Sequence, residues 1–156
     1  MAALAGGAWA NNYTSPVINM NGGPADWTAD FGTSHIDGQL FTDTYTFAYS
    51  GLPGTAQGYF LNLKNFLVTP PTFIHFNSAT LDGTALPVAN GLLSGSFFFN
   101  VPVSGVVQLV IKGKDHGIAS YSGTLDITSA VPEPATYGML LGGLALMGMV
   151  ARRRKS

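Results

Sequence analysis

Short runs of β-branched and aromatic residues, separated by Gly, Pro, Asn and Ser, dominate residues 11–130. No segment there keeps a 3.6-residue hydrophobic period, so the pattern predicts strands rather than helices. We predict an all-β fold, a small β-sandwich or jelly-roll-like domain. Its expected strands are 39–49, 57–68, 72–76, 79–81, 85–89, 95–101, 105–112 and 118–128.

Turn residues divide these runs. Asp82-Gly83 predicts a two-residue hairpin, because both residue types tolerate a positive φ. Residues 11–36 are loop-like, with a possible sheet edge, and the polar stretch 112–117 is interpreted as a solvated hairpin turn between the last two strands.

Charge and cysteine content exclude several classes of function. Residues 1–130 contain seven aspartates and three lysines, a net charge of −4, so there is no basic face for nucleic acid. The chain has no cysteine, which excludes disulfides, thiolate metal sites and a cysteine nucleophile.

The two ends of the chain differ from its middle. Residues 1–10 are small and apolar, and Ala8 and Ala10 have the small-x-small spacing of a signal-peptidase site. We interpret 1–10 as the remnant of a secretory signal peptide, with a flexible Ala/Gly terminus as the alternative. The expected domains are therefore 1–10, a body at 11–130 and a tail at 131–156.

The tail has no charged residue from Pro134 to Ala151. A helix of that length would be about 27 Å long, close to the ~30 Å hydrocarbon core of a bilayer. We predict one transmembrane helix, because the segment is apolar on all sides, unlike an amphipathic surface helix. The basic residues that follow predict a stop on the cytoplasmic side: Arg152, Arg153, Arg154 and Lys155.

Val131, Pro132, Glu133 and Pro134, then an apolar helix, then terminal Arg/Lys, resemble the PEP-CTERM sorting signal of Gram-negative bacteria. The two prolines keep Glu133 in extended backbone, as a segment lying in a protease-like cleft requires. The resemblance implies an exosortase as partner and processing enzyme, and an association with extracellular polysaccharide and biofilm matrix.

The segment from Phe41 to Phe47 alternates aromatic residues with threonines. Period two places Phe41, Asp43, Tyr45 and Phe47 on one face, and the aromatic residues make that face part of the core. Asp43 is the anomaly. We interpret it as a structural carboxylate that accepts backbone N–H bonds, the alternative being a ligand or Ca²⁺ site. Together with residues 120–127, this segment resembles the FxDxF subgroup of PEP-CTERM proteins, which has no assigned activity.

Motifs for catalysis are missing from the sequence. The histidines at 35, 75 and 116 lack zinc-ligand spacing and are expected on loops or at the surface. There is no GxSxG elbow, and the only glutamate, Glu133, lies outside the body. We therefore expect no enzyme activity, no metal and no cofactor.

Two functions from different classes follow. The first is a non-enzymatic exported protein, anchored transiently in the inner membrane with its body in the periplasm and then delivered to the cell surface or matrix. The alternative is a carbohydrate-binding or carbohydrate-active module that uses Asp43 with a second acidic residue, or with Tyr45 and His116.

Overall fold

Ten strands and one helix make up the part of the chain that the computed structural model describes, residues 11–130 and 134–153. The elements are β1 (Tyr13–Asn19), β2 (Asn21–Gly22), β3 (Asp26–His35), β4 (Leu40–Ala48), β5 (Gly54–Leu63), β6 (Phe73–Leu81), β7 (Thr84–Leu86), β8 (Leu93–Val103), β9 (Val106–His116), β10 (Ala119–Ser129) and α1 (Pro134–Arg153).

The strands form two five-stranded sheets. Sheet A has the order β1-β4-β9-β6-β7 and sheet B the order β2-β3-β10-β5-β8. From β3 onward the antiparallel pairs are nested: β3 pairs with β10, β4 with β9, β5 with β8 and β6 with β7. This nesting, divided between two sheets, is the strand order of a jelly roll, so the predicted β-sandwich is confirmed.

Alternation along the long strands directs apolar side chains between the two sheets. In β9 every second residue from Val107 to Ile111 is fully buried, and in β10 Tyr121, Leu125 and Ile127 point inward in the same way. All the residues of the hydrophobic core cluster lie in the sandwich. Burial of this apolar area is the main force that holds the two sheets together.

The predicted Asp82-Gly83 hairpin is confirmed. Leu81 pairs with Thr84 across the turn. Asp82 and Gly83 both have positive φ, 46° and 79°, as a turn matched to the strand twist requires.

For residues 11–36 the predicted sheet edge is confirmed, because β1 and β2 are edge strands of the two sheets, whereas the loop-like interpretation is wrong. This region contains β1, β2 and β3, and β3 is a ten-residue strand paired with β10 along its whole length. Its solvent face consists of Asp, Thr, Gly and Ser, which resemble turn residues, while Ala29, Phe31 and His35 point inward. The many turn-forming residue types in β3 led to the loop prediction, although inward and outward residues alternate regularly along the strand.

Other boundaries also differ from the prediction. The predicted strands 72–76 and 79–81 are one strand, β6, and the predicted strand 85–89 is the shorter β7. Residues 112–116 are not a solvated hairpin turn, because β9 continues to His116 and the chain then passes from sheet A to sheet B. The predicted strand 57–68 ends at Leu63. The apolar residues after it belong to a loop, since Asn65 pairs with Thr72 and Pro70-Pro71 has no N–H groups for a ladder.

Candidate functional site

The face of β4 that carries the aromatic motif points into the sandwich. Phe41, Asp43, Tyr45 and Phe47 are all buried, and the intervening threonines are half-buried on the other face. The period-two interpretation of this segment is therefore correct. Asp43 has no exposed surface at all.

Three donors satisfy the Asp43 carboxylate. His35 donates from Nε2 to Oδ2 at 2.8 Å, and the Tyr121 hydroxyl donates to the same oxygen at 2.5 Å. The backbone N–H of Tyr13 donates to Oδ1 at 3.2 Å. Only one of the three partners is a backbone amide, so the side chains of the opposite sheet hold Asp43 more than the backbone does.

These contacts join the two sheets. Asp43 and Tyr45 lie on β4 of sheet A, whereas His35 and Tyr121 lie on β3 and β10 of sheet B. The Tyr45 and Tyr121 hydroxyls are 3.0 Å apart and extend the chain of hydrogen bonds. We call His35, Asp43, Tyr45 and Tyr121 the cross-sheet cluster.

Aromatic rings enclose the cross-sheet cluster. The His35 ring stacks on Phe41 with centroids 3.9 Å apart and an interplanar angle of 13°. Phe31 packs on Tyr45 at 4.9 Å. Among the residues that the structure describes, buried His35 Nδ1 has no hydrogen-bond partner, and the Asp43 carboxylate is the only hydrogen-bond partner of this imidazole.

Burial governs the ionisation of both tyrosines in the cluster. It raises the pKa of Tyr121 far above its ordinary value of 10.0, and the negative charge of Asp43 raises it further. Burial also raises the pKa of Tyr45, although its hydrogen bond with Tyr121 acts in the opposite direction. Both hydroxyls therefore stay protonated and act as donors at neutral pH.

An Asp, a His and a Tyr within hydrogen-bonding distance have the composition of a catalytic group. Here no substrate can reach them, because Asp43 and His35 are essentially without exposed surface. His116 is exposed at the end of β9, on the outer face of sheet A, and within residues 11–130 and 134–153 no carboxylate is hydrogen-bonded to Asp43. Of the groups in the Asp43-based alternative, the structure brings Tyr45 into the cluster but neither His116 nor a second carboxylate.

The expected positions of the three histidines are only partly correct. His75 and His116 are exposed, although both lie in strands rather than loops. His35 is not a loop or surface residue; it is buried in β3. Over residues 11–130 and 134–153, no group of three or more His, Asp or Glu side chains could hold a metal ion.

The role expected of Asp43 is performed by Asp115. This carboxylate is fully buried and accepts the backbone N–H groups of Gly38 at 2.8 Å and Gln39 at 2.7 Å. It thereby pins the turn between β3 and β4. Sequence reasoning placed Asp115 in a solvated turn, although its alternation with Lys112, Lys114 and His116 indicated an inward position.

A groove of about 400 Å³ on the outer face of sheet B contains two other carboxylates. Asp26 and Asp126 line it with Trp27, and β-pairing sets Asp126 opposite Thr28, two residues from Asp26. Residues so placed are diagonal neighbours, about 7–8 Å apart. Unlike Asp43, these side chains face solvent.

The tail contains α1, which begins at Pro134 and ends at Arg153. Its large apolar side chains are exposed, and Arg152 and Arg153 lie in its last turn. Within the described part of the chain, no helix combines the length and apolarity needed to cross a bilayer, so the predicted transmembrane helix is not confirmed. Several predicted positions lie outside the described residues: Ala8, Ala10, Val131, Pro132, Glu133, Arg154 and Lys155.

Comparison with protein families decides the nature of the tail. Residues 130–155 match the PEP-CTERM protein-sorting motif. The predicted sorting signal is thereby confirmed, whereas the FxDxF subgroup is not. The sorting motif begins one residue after β10 ends.

Comparisons of the whole chain do not identify a family. No curated protein sequence matches it. A similar solved structure is the pre-peptidase C-terminal domain of a collagenase from Bacillus anthracis, with 17% identity over 74% of this chain and 95% of that domain. Its TM-score of 0.38 is too low to carry an argument, so the architecture rests on the strand pairing described above.

Proposed function

We propose that the protein is a non-enzymatic exported β-sandwich that an exosortase sorts and processes through residues 130–155. The sorting-motif match carries this proposal. The position of the motif supports it, since the sandwich is complete at Ser129 and removal of the tail would take no strand from either sheet.

The proposal includes transient insertion of the tail in the inner membrane, with the body in the periplasm. The uncharged run from Pro134 to Ala151 and the four basic residues after it support insertion. Alkaline carbonate extraction of cells without exosortase tests this step. An unprocessed chain that is released into the carbonate supernatant would contradict it.

Terminal mapping of the extracellular protein by mass spectrometry tests processing. We expect the mature form to end near Pro134 and to lack the terminal RRRKS. An intact RRRKS terminus on extracellular protein would contradict processing.

A matched pair of variants tests recognition. Replacing Pro132 and Glu133 by Ala should leave the chain unprocessed and cell-associated, because the extended segment and its carboxylate are lost. The control Thr136→Ala lies three residues beyond Glu133 and should be processed normally. Equal processing of both variants would exclude Pro-Glu-Pro as the recognition element.

The absence of enzyme activity and the final destination are parts of the same proposal. Enclosure of the cross-sheet cluster supports a non-catalytic body, since its Asp, His and Tyr hold the sheets together. The proposal also assigns the body to the FxDxF subgroup, on the segment from Phe41 to Phe47. As the resemblance to PEP-CTERM proteins implies, the processed body would remain at the cell surface or in the polysaccharide matrix. Immunogold labelling of cells and matrix would locate it.

Carbohydrate binding is the second candidate function, and the groove beside Trp27 favours it. Asp26, which is exposed, and Asp126, which is half-buried, offer hydrogen-bond acceptors for a sugar. Trp27 lines the same groove, although its indole packs on the core side against Tyr49. Titration with oligosaccharides, followed by Trp27 fluorescence, tests this function. Asp126→Asn should weaken any binding, whereas Asp82→Asn, in the β6–β7 turn, should not.

A further inference from the structure

An apolar loop projects from one end of the sandwich. Residues 66–71 leave the sheets through a neck in which Asn65 and Thr72 exchange two backbone hydrogen bonds, at 2.8 and 3.1 Å. Inside the loop, Asn65 Oδ1 accepts the Leu67 N–H at 2.9 Å. The loop therefore has a defined base and displays its side chains in a fixed direction.

The side chains at this end are large and apolar, and solvent surrounds them. Leu67 is 97% exposed, Phe66 59% and Val68 42%. Ile118, 72% exposed, lines the same groove as Val68. We call Phe66, Leu67, Val68 and Ile118 the apolar tip. A cluster of this kind on a soluble surface marks an interaction site.

Two of the three lysines of the body, Lys64 and Lys114, line the groove beside the apolar tip. Lys64 directly precedes the loop, and its Nζ lies 4.3 Å from the Phe73 ring centroid and 5.3 Å from that of Phe66. Lys112 and Lys114 lie on the exposed face of β9, and Lys114 is paired with His75 of β6. Within the described residues, none of these lysines forms a salt bridge.

Two carboxylates, Asp37 and Asp115, lie at the same end of the body as these lysines. Asp115 is buried and accepts two backbone N–H groups, whereas Asp37 is exposed. Asp26, Asp30 and Asp126 lie on β3 and β10, on the outer face of the other sheet. The body is acidic as a whole, yet Lys64 and Lys114 place two positive charges beside the apolar tip.

From this juxtaposition we infer that the apolar tip and its lysines dock onto an anionic lipid bilayer. A projecting apolar loop enters the acyl boundary, and lysines beside it meet the negative head groups. A groove of about 840 Å³ leaves room for a head group between Lys64, Lys114 and His116, and the Asp115 carboxylate that also lines it is buried and engaged by two backbone N–H groups. A second copy fits less well, because two projecting tips of like charge would repel each other.

The docking end is opposite the sorting tail. β10 starts at Ala119, beside Ile118 of the tip, and ends at Ser129, just before the tail. Eleven extended residues separate the two ends by about 34 Å. The inferred contact does not depend on the sorting proposal, since it uses other residues at the other end of the body.

A cysteine-free chain allows the contact to be tested at single positions. Leu67→Cys in the full-length protein would carry an environment-sensitive fluorophore at the tip. Leu52→Cys, also at an exposed leucine but in the loop before β5, is the matched control near the tail end. Each labelled protein is titrated with vesicles of phosphatidylcholine alone, or with phosphatidylglycerol added.

We expect a blue shift at position 67 with the anionic vesicles, little shift with neutral vesicles, and loss of the shift at high salt. Lys64→Gln with Lys114→Gln should lower the affinity for anionic vesicles about thirtyfold, because the contacts of two lysines with head groups are lost. The control Asp30→Asn should not lower it. Position 52 should not show the same lipid-dependent shift.

Three outcomes would overturn the inference. The first is no lipid-dependent shift at position 67, or the same shift at position 52. The second is an equal shift with soluble heparin, which would indicate a site for free polyanions. The third is a shift that rises with protein concentration in the absence of vesicles, which would indicate a contact between copies of the chain.

Discussion

The cross-sheet cluster and the apolar tip depart in opposite ways from the usual arrangement of polar surface and apolar interior. In the cluster, the buried Asp43 carboxylate has three hydrogen-bond donors. In the tip, Leu67 is almost fully exposed and has no apolar cover. A buried polar group whose hydrogen bonds are all satisfied stabilises the fold. An exposed apolar cluster without apolar cover instead marks a surface that another molecule covers.

The largest expected effect on stability is in the cross-sheet cluster. Asp43→Ala should lower the free energy of unfolding by about 3–5 kcal/mol, because His35, Tyr121 and the Tyr13 amide lose their acceptor inside the core. Asp30→Ala is the control: Asp30 is an exposed acceptor for Thr124, and its loss should cost about 0.5 kcal/mol. Urea unfolding measures both. A loss below 1 kcal/mol for Asp43→Ala would show that the cluster is not a lock between the sheets.

Alkaline pH should also lower the stability that the cross-sheet cluster contributes, and the loss should grow with each pH unit. The pKa of Tyr121 is raised in the fold, so its contribution to stability is complete below the unfolded value of 10.0 and is lost as pH rises above it. The expected slope is about 1.4 kcal/mol per pH unit for this tyrosine. Unfolding free energies between pH 9 and 11.5 test it. Tyr121→Phe should have a shallower slope, and equal slopes would contradict the assignment.

The smallest effect on stability is expected at the apolar tip. Leu67→Ala should change the unfolding free energy by about 0.5 kcal/mol or less, because no apolar contact is removed. Leu109→Ala, the same substitution at a fully buried position of β9, should cost about 2–5 kcal/mol. Urea unfolding of both variants provides the comparison. A large loss for Leu67→Ala would mean that the tip belongs to the core.

Local patterns predicted much of the body and little of its chemistry. The alternation in β4 and the Asp82-Gly83 turn depend on neighbouring residues, and both were correct. The partners of Asp43 depend on the winding of the chain, which brings His35 and Tyr121 to it from the other sheet. A single sequence does not encode that pairing in any short-range pattern.

The errors have the same physical origin. Phe66, Leu67 and Val68 extend an apolar run, so they were assigned to a strand although they are exposed in a loop. Asp, Gly and Ser in β3 suggested a loop because solvent-facing strand positions accept the same residue types as turns. Pairing with β10 makes β3 a strand, whereas residues 66–68 have no neighbouring strand to pair with in the described part of the chain and lie in a loop.

The placement of β10 has a mechanical consequence. This strand is hydrogen-bonded to β3 on one side and to β5 on the other, and the tail continues from its end. Tension on the tail would pull β10 along its own axis and strain both ladders in shear at once. An edge strand under the same tension could peel away one hydrogen bond after another. A body attached through its last strand thus resists extraction best in the direction in which its tail pulls.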